Sequence, residues 1–134
     1  MSSPQQTFVD AFVLLANQQP GWAWDRFDIP DDTVHRFVAP LDEFHTAFTQ
    51  AHPLAEYFGD AQNDGPTIDE ILQEPCVVKV EGYVVTGRRD ARVTLDGVYL
   101  DNTVPIAPQS PVDHWVKTAN EDDVDESFRR LWWD

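Results

Sequence analysis

Lysine and cysteine are nearly missing from this chain. Lys79 and Lys117 are its two lysines, beside seven arginines, and 24 acids face nine bases, for a net charge of -15. A single cysteine, Cys76, excludes an intrachain disulfide and fits a reducing compartment. No apolar run approaches the roughly 18 residues that a membrane span needs. No basic region precedes the first apolar stretch, so no secretory signal is expected. A cytoplasmic protein without a membrane partner follows as the expectation.

Catalytic signatures are missing too. The six glycines (21, 59, 65, 82, 87 and 97) are dispersed and form no phosphate-cradling loop, and no Gly-x-Ser-x-Gly elbow occurs. The four histidines, His35, His45, His52 and His114, make no metal-ligand spacing with one another or with Cys76. His45 and His52 lie two helical turns apart, too far to share one ion. The stretch from Asp60 to Ile71 has acids where a calcium loop begins, but Gln62 stands at the third position and Ile71 where glutamate is required. Neither a metal site nor a cofactor is expected.

What is present is acid, mostly short. The 24 acids are 17 aspartates and seven glutamates. Such a surface repels itself in dilute buffer, and salt screens that repulsion; halophilic proteins use this lever. The acidity therefore reads as a salt-adapted solvent coat, with capture of a basic partner as the alternative. Sixteen aromatics among 134 residues supply the core of one domain spanning residues 1–134.

Local signals place most elements. Ser3-Pro4-Gln5-Gln6 is a helix start, and Phe8, Ala11, Phe12, Leu15 and Ala16 follow at helical spacing, giving a helix over 4–17. Residues 21–40 fit no clean period, apart from a turn at Ile29-Pro30-Asp31-Asp32 and a short strand over 33–38. Trp22 and Trp24 read as core packing, with a pocket wall as the alternative. Leu41, Phe44, Ala47, Phe48 and Ala51 mark a second helix. A further helical piece carries Leu54, Tyr57 and Phe58 and closes at Gly59, and a polar loop runs over 60–66. Thr67-Ile68-Asp69-Glu70 is a capping box opening a short helix to about residue 73.

From Cys76 onward the chain turns β-branched. Residues 77–86 read as a strand with Gly82 as a bulge. Asp96-Gly97 is a strong two-residue hairpin signal, and it places Val93, Leu95, Val98 and Leu100 on one face. Residues 104–111, with three prolines, read as extended surface chain, and 113–118 as a strand with Trp115 inward. The C-terminal stretch has acids first, Arg129-Arg130 late, and Val124, Phe128, Leu131 and Trp132 along one helical stripe. The fold class expected is α+β: an antiparallel sheet of three strands, extendable to four or five, from 77 to about 118. N-terminal helices and a short C-terminal helix cover one of its faces.

The candidate binding residues are Arg88, Arg89 and Arg92 at the hairpin, Tyr99 on its polar face, and Trp133, which lies opposite the C-terminal stripe. Arginines there can grip an anion, although the overall charge disfavours nucleic acid as a partner. The alternative for the arginines is pairing with Asp90 and Asp101. Cys76 has no flanking base and reads as a buried thiol rather than a nucleophile. With no catalytic spacing in view, the reading leans away from an enzyme. It favours a small acidic interaction protein that contacts a protein partner or a second copy of itself. An acidic inhibitor or nucleic-acid mimic, and an Asp/Glu/His hydrolase or metal-dependent enzyme, stand as alternatives.

Overall fold

The computed structural model describes residues 4–26, 34–51, 64–87, 89 and 91–134. Among them the order is α1 (Pro4–Asn17), β1 (Ala23–Arg26), β2 (Val34–Pro40), α2 (Leu41–Gln50), α3 (Ile68–Gln73), β3 (Val77–Val85), β4 (Arg92–Asp101), α4 (Val112–Thr118), β5 (Glu121–Val124) and β6 (Phe128–Trp132). The six strands make one antiparallel sheet in the order β1-β2-β3-β4-β6-β5. The class is α+β, but the sheet is larger than the three-stranded meander expected. None of the described helices is long and apolar enough to cross a membrane. The turn at 29–32, the helical piece around 54–58 and most of the 60–66 loop lie outside the described residues.

The helices form where local chemistry asks for them. α1 buries Phe8, Val9, Phe12 and Ala16, and α2 buries Phe44, Ala47 and Phe48, each set one turn apart along its helix. Their rings interlock over β2. Phe12 meets Phe44 at 5.7 Å and Phe37 at 6.2 Å, Phe8 meets Phe48 at 5.7 Å, and Trp22 meets Phe37 at 4.8 Å. α3 starts at the expected capping box: the Thr67 hydroxyl accepts the Glu70 N–H at 3.2 Å, and the Glu70 carboxylate accepts the Thr67 N–H at 3.1 Å.

Asp96-Gly97 is no turn. β4 runs straight through it, with Leu95 opposite Gly82 and Gly97 opposite Glu81, so Asp96 is the extra residue of a β-bulge. The bulge shifts the pleat by one residue. Leu95 and Val98 therefore face the core together, the same outcome a two-residue turn would produce. The peptide N–H of Trp133 donates to the freed Asp96 carbonyl at 2.8 Å. A Cβ on Gly97 would overlap the Glu81 side chain, so this close crossing needs glycine.

Two other elements differ from expectation. Residues 113–118 belong to a helix, α4, with Val112 and Trp115 buried three positions apart. Trp115 points inward as expected, from a different element. The C-terminal stretch is not a helix but the hairpin β5–β6. Asp125 closes it: its carboxylate accepts the N–H groups of Ser127 at 2.8 Å and Phe128 at 2.6 Å, and both bonds hold it below the usual carboxylate range.

The core is one-sided. Residues from all four helices and the inward positions Phe37, Val80, Val84, Val93, Leu95, Val98, Leu100 and Leu131 form one apolar cluster. Val34 and Val85 are buried too, but they stand outside that cluster, on the sheet's other face.

Candidate binding surface

Strand register places Arg36, Glu81, Tyr83, Arg92, Thr94, Asp96, Tyr99, Arg130 and Trp132 on the face away from the helical core. Two ion pairs are sunk into it. The Glu81 carboxylate, 6% exposed, accepts from Arg130 at 2.5 Å. Asp96, 3% exposed, accepts from Arg36 at 3.2 Å. Burial drives the Asp96 carboxyl up to about 6; Arg36 pulls it down, and the charge of Glu81 pushes it higher. The indole N–H of Trp132 is buried and completes no hydrogen bond, yet it lies near enough to the Asp96 carboxylate to favour its charged form. Burial opposes the charge of Arg130, but the hydrogen bond and attraction of Glu81 outweigh it and raise that guanidinium. Burial and the Glu81 charge push the Tyr99 hydroxyl up.

The sheet ends at β5. Among the described residues no strand pairs with its outer side. The N–H of Asp125 bonds the carbonyl of Phe128, which fixes the alternation of the hairpin. Asp123 and Glu121 then turn their peptide groups toward β6, and Asp122 and Val124 turn theirs outward. All four residues of β5 are exposed, Val124 to 63%, and Phe128 next to it is 43% exposed. Tyr99, Asp123, Val124, Asp125, Phe128 and Arg130 line a groove of about 230 Å³ there.

The acids of this edge are held in place by the strand behind them. Arg129 grips Asp122 with two hydrogen bonds of 2.7 and 2.5 Å, which hold that carboxyl below its ordinary range. Arg130 reaches Asp123 at 3.4 Å and Glu121 at 3.6 Å. Between residues 121 and 134 there are six acids and two arginines, so the hairpin keeps a net negative charge.

The residues singled out in the sequence do not form one site. Arg88 lies outside the described residues. Arg89 is exposed in the β3–β4 connection, and Arg92 sits over the Tyr83 ring at 5.5 Å and bonds its hydroxyl at 3.4 Å. Tyr99 is on the same face but seven residues along β4, about 20 Å away at strand spacing. Trp133 is removed from the surface altogether. Strand alternation turns it inward, where it is 1% exposed and its indole N–H donates to the Thr118 hydroxyl at 3.1 Å. Helical spacing puts Val124 and Phe128 on an inward stripe, but the hairpin exposes both at the sheet edge.

Other chemistry is sparse. Among the described residues no group of three or more His, Cys, Asp and Glu could hold a metal ion. Cys76 is buried, its Sγ 3.5 Å from the Glu74 carboxylate, and burial followed by that negative charge pushes the thiol up to about 12. No protein-family model, no curated protein and no solved structure matches the chain.

Proposed function

We propose that the chain is a protein-binding module, and that it receives an extended, basic segment of a partner along β5. The observation that carries this reading is the outer edge of β5, where outward peptide groups, exposed Val124 and Phe128, and a surplus of carboxylates coincide. Strand addition supplies main-chain hydrogen bonds, and alternating side chains supply selectivity. A partner arginine or lysine lays its stem over Tyr99 and Phe128 and meets Asp123 with its charge. A second copy fits worse. Two-fold antiparallel pairing of β5 with itself sets Asp122 opposite the other copy's Asp122, or Asp123 opposite the other copy's Asp123, and like charges opposite each other destabilise a ladder.

The test uses two peptides, one alternating arginine with valine and one alternating glutamate with valine, titrated calorimetrically and by amide NMR. The basic peptide is expected to bind and to shift the Asp122 and Val124 amides. Val124→Pro removes an outward N–H while leaving the β5–β6 ladder intact, and it is expected to weaken binding by about tenfold. Equal binding of both peptides, or unchanged binding to the proline variant, refutes the reading.

The remaining acidity is proposed to be a halophilic solvent coat. A circular-dichroism titration is expected to show the fold lost in dilute buffer and restored toward molar KCl, where the screening length falls to about 3 Å. A transition independent of KCl removes that part.

A further inference from the structure

A cleft opens at the opposite end of the strand order from β5, between α1 and the strands β1 and β2. Asp10, Val13 and Asn17 from one side of α1, Trp24 of β1, His35 of β2 and Thr86 just past β3 line it, and it encloses about 430 Å³. That volume falls within the range of small-molecule sites. The apolar wall is held in place. Trp24 stacks on Trp22 at 5.5 Å with an interplanar angle of 15°, and Phe37 meets it at 5.7 Å. A ring braced from the core side needs little ordering when a ligand arrives.

The polar lining selects for charge. These described residues bring a carboxylate, an imidazole, an amide and a hydroxyl, with no lysine or arginine among them. Among the described lining residues an anionic ligand meets the Asp10 carboxylate and no lysine or arginine. A cationic one meets both Asp10 and the face of an indole, the best aromatic partner for a positive charge. We propose that this cleft binds a small organic cation, a primary amine on a short aromatic body. The ring lies against Trp24 and Val13, and the ammonium is held by Asp10. The inference rests on the α1 cleft alone and is independent of the β5 edge.

The probe is phenethylamine, with hydrocinnamate as an anion of similar size and shape. Binding is followed in high KCl by saturation-transfer NMR and by the indole N–H resonance of Trp24, assigned with a Trp24→Phe variant. Phenethylamine is expected to shift that resonance saturably while hydrocinnamate does not. Asp10→Asn, a change on an exposed helix position, is expected to weaken binding by at least about tenfold. Val13→Trp, which fills the cleft, is expected to abolish it, and Asp113→Asn on α4 is expected to change nothing. If the two probes bind alike, if Asp10→Asn and Asp113→Asn behave alike, or if the Trp24 signal never moves, the proposal is overturned.

Discussion

Arg36 and Asp96 face each other across the middle of the sheet, the guanidinium 3.2 Å from a carboxylate that is almost fully buried. The attraction does not compensate for the burial. Asp96 still titrates near 6 instead of 3.8, so the folded state holds its proton more tightly than the unfolded state does.

The sign of the pH effect follows. What Asp96 contributes is fully present below about pH 4 and is lost as pH rises through 6. The shift corresponds to roughly 3 kcal/mol at 1.36 kcal/mol per unit. Urea midpoints in constant high KCl are expected to fall between pH 4 and 7, and Asp96→Asn to flatten that slope. A variant with the wild-type slope places the titration elsewhere.

Glu81 and Arg130 should show the asymmetry of a buried ion pair. Arg130→Met leaves the Glu81 carboxylate buried without that partner, at an expected cost of about 3–5 kcal/mol. Replacing both by methionine should recover much of this loss. A double-mutant cycle by denaturant unfolding checks it, and additive losses would count against coupling.

Trp133 should behave as core. Trp133→Ala is expected to destabilise the fold by about 3–5 kcal/mol through the cavity it leaves. Thr118→Val, which removes the acceptor for the indole N–H, should cost about 1 kcal/mol. Chemical denaturation separates this from a surface anchor, whose truncation leaves stability nearly unchanged.

Cys76 should be silent in the native state. With its thiol pushed up to about 12 beside Glu74, Ellman's reagent at mildly alkaline pH is expected to leave it unmodified. One equivalent should react after guanidinium unfolding. Rapid native labelling contradicts the buried geometry.

The elements legible from the sequence were those fixed by neighbours in the chain. Pro4, the Thr67–Glu70 box and the spacing of Phe8, Phe12, Phe44 and Phe48 act within a few residues, and α1, α2 and α3 stand where they point. Asp96-Gly97 misleads because a bulge and a two-residue turn move the pleat by the same single step. What separates them is remote: Gly82 opposite Leu95, and Trp133 bonding the Asp96 carbonyl. The C-terminal stretch misleads in another way. Its acids and arginines suit a helix dipole, but they suit cross-strand pairing equally, as Arg129 with Asp122 shows. A turn signal, Asp125-Glu126-Ser127, stood between the two halves. The β5 edge could not be read locally, because being an edge is a property of strand order, which places β6 between β4 and β5.

That same strand order leaves β5 hydrogen-bonded on one side only, and all four of its residues are exposed, whereas the other edge strand, β1, is pinned by Trp24 against Phe37. The acidic strand is therefore the first to lose its hydrogen-bonded partners when the domain breathes. Its amides should be the fastest of the six strands to exchange with heavy water.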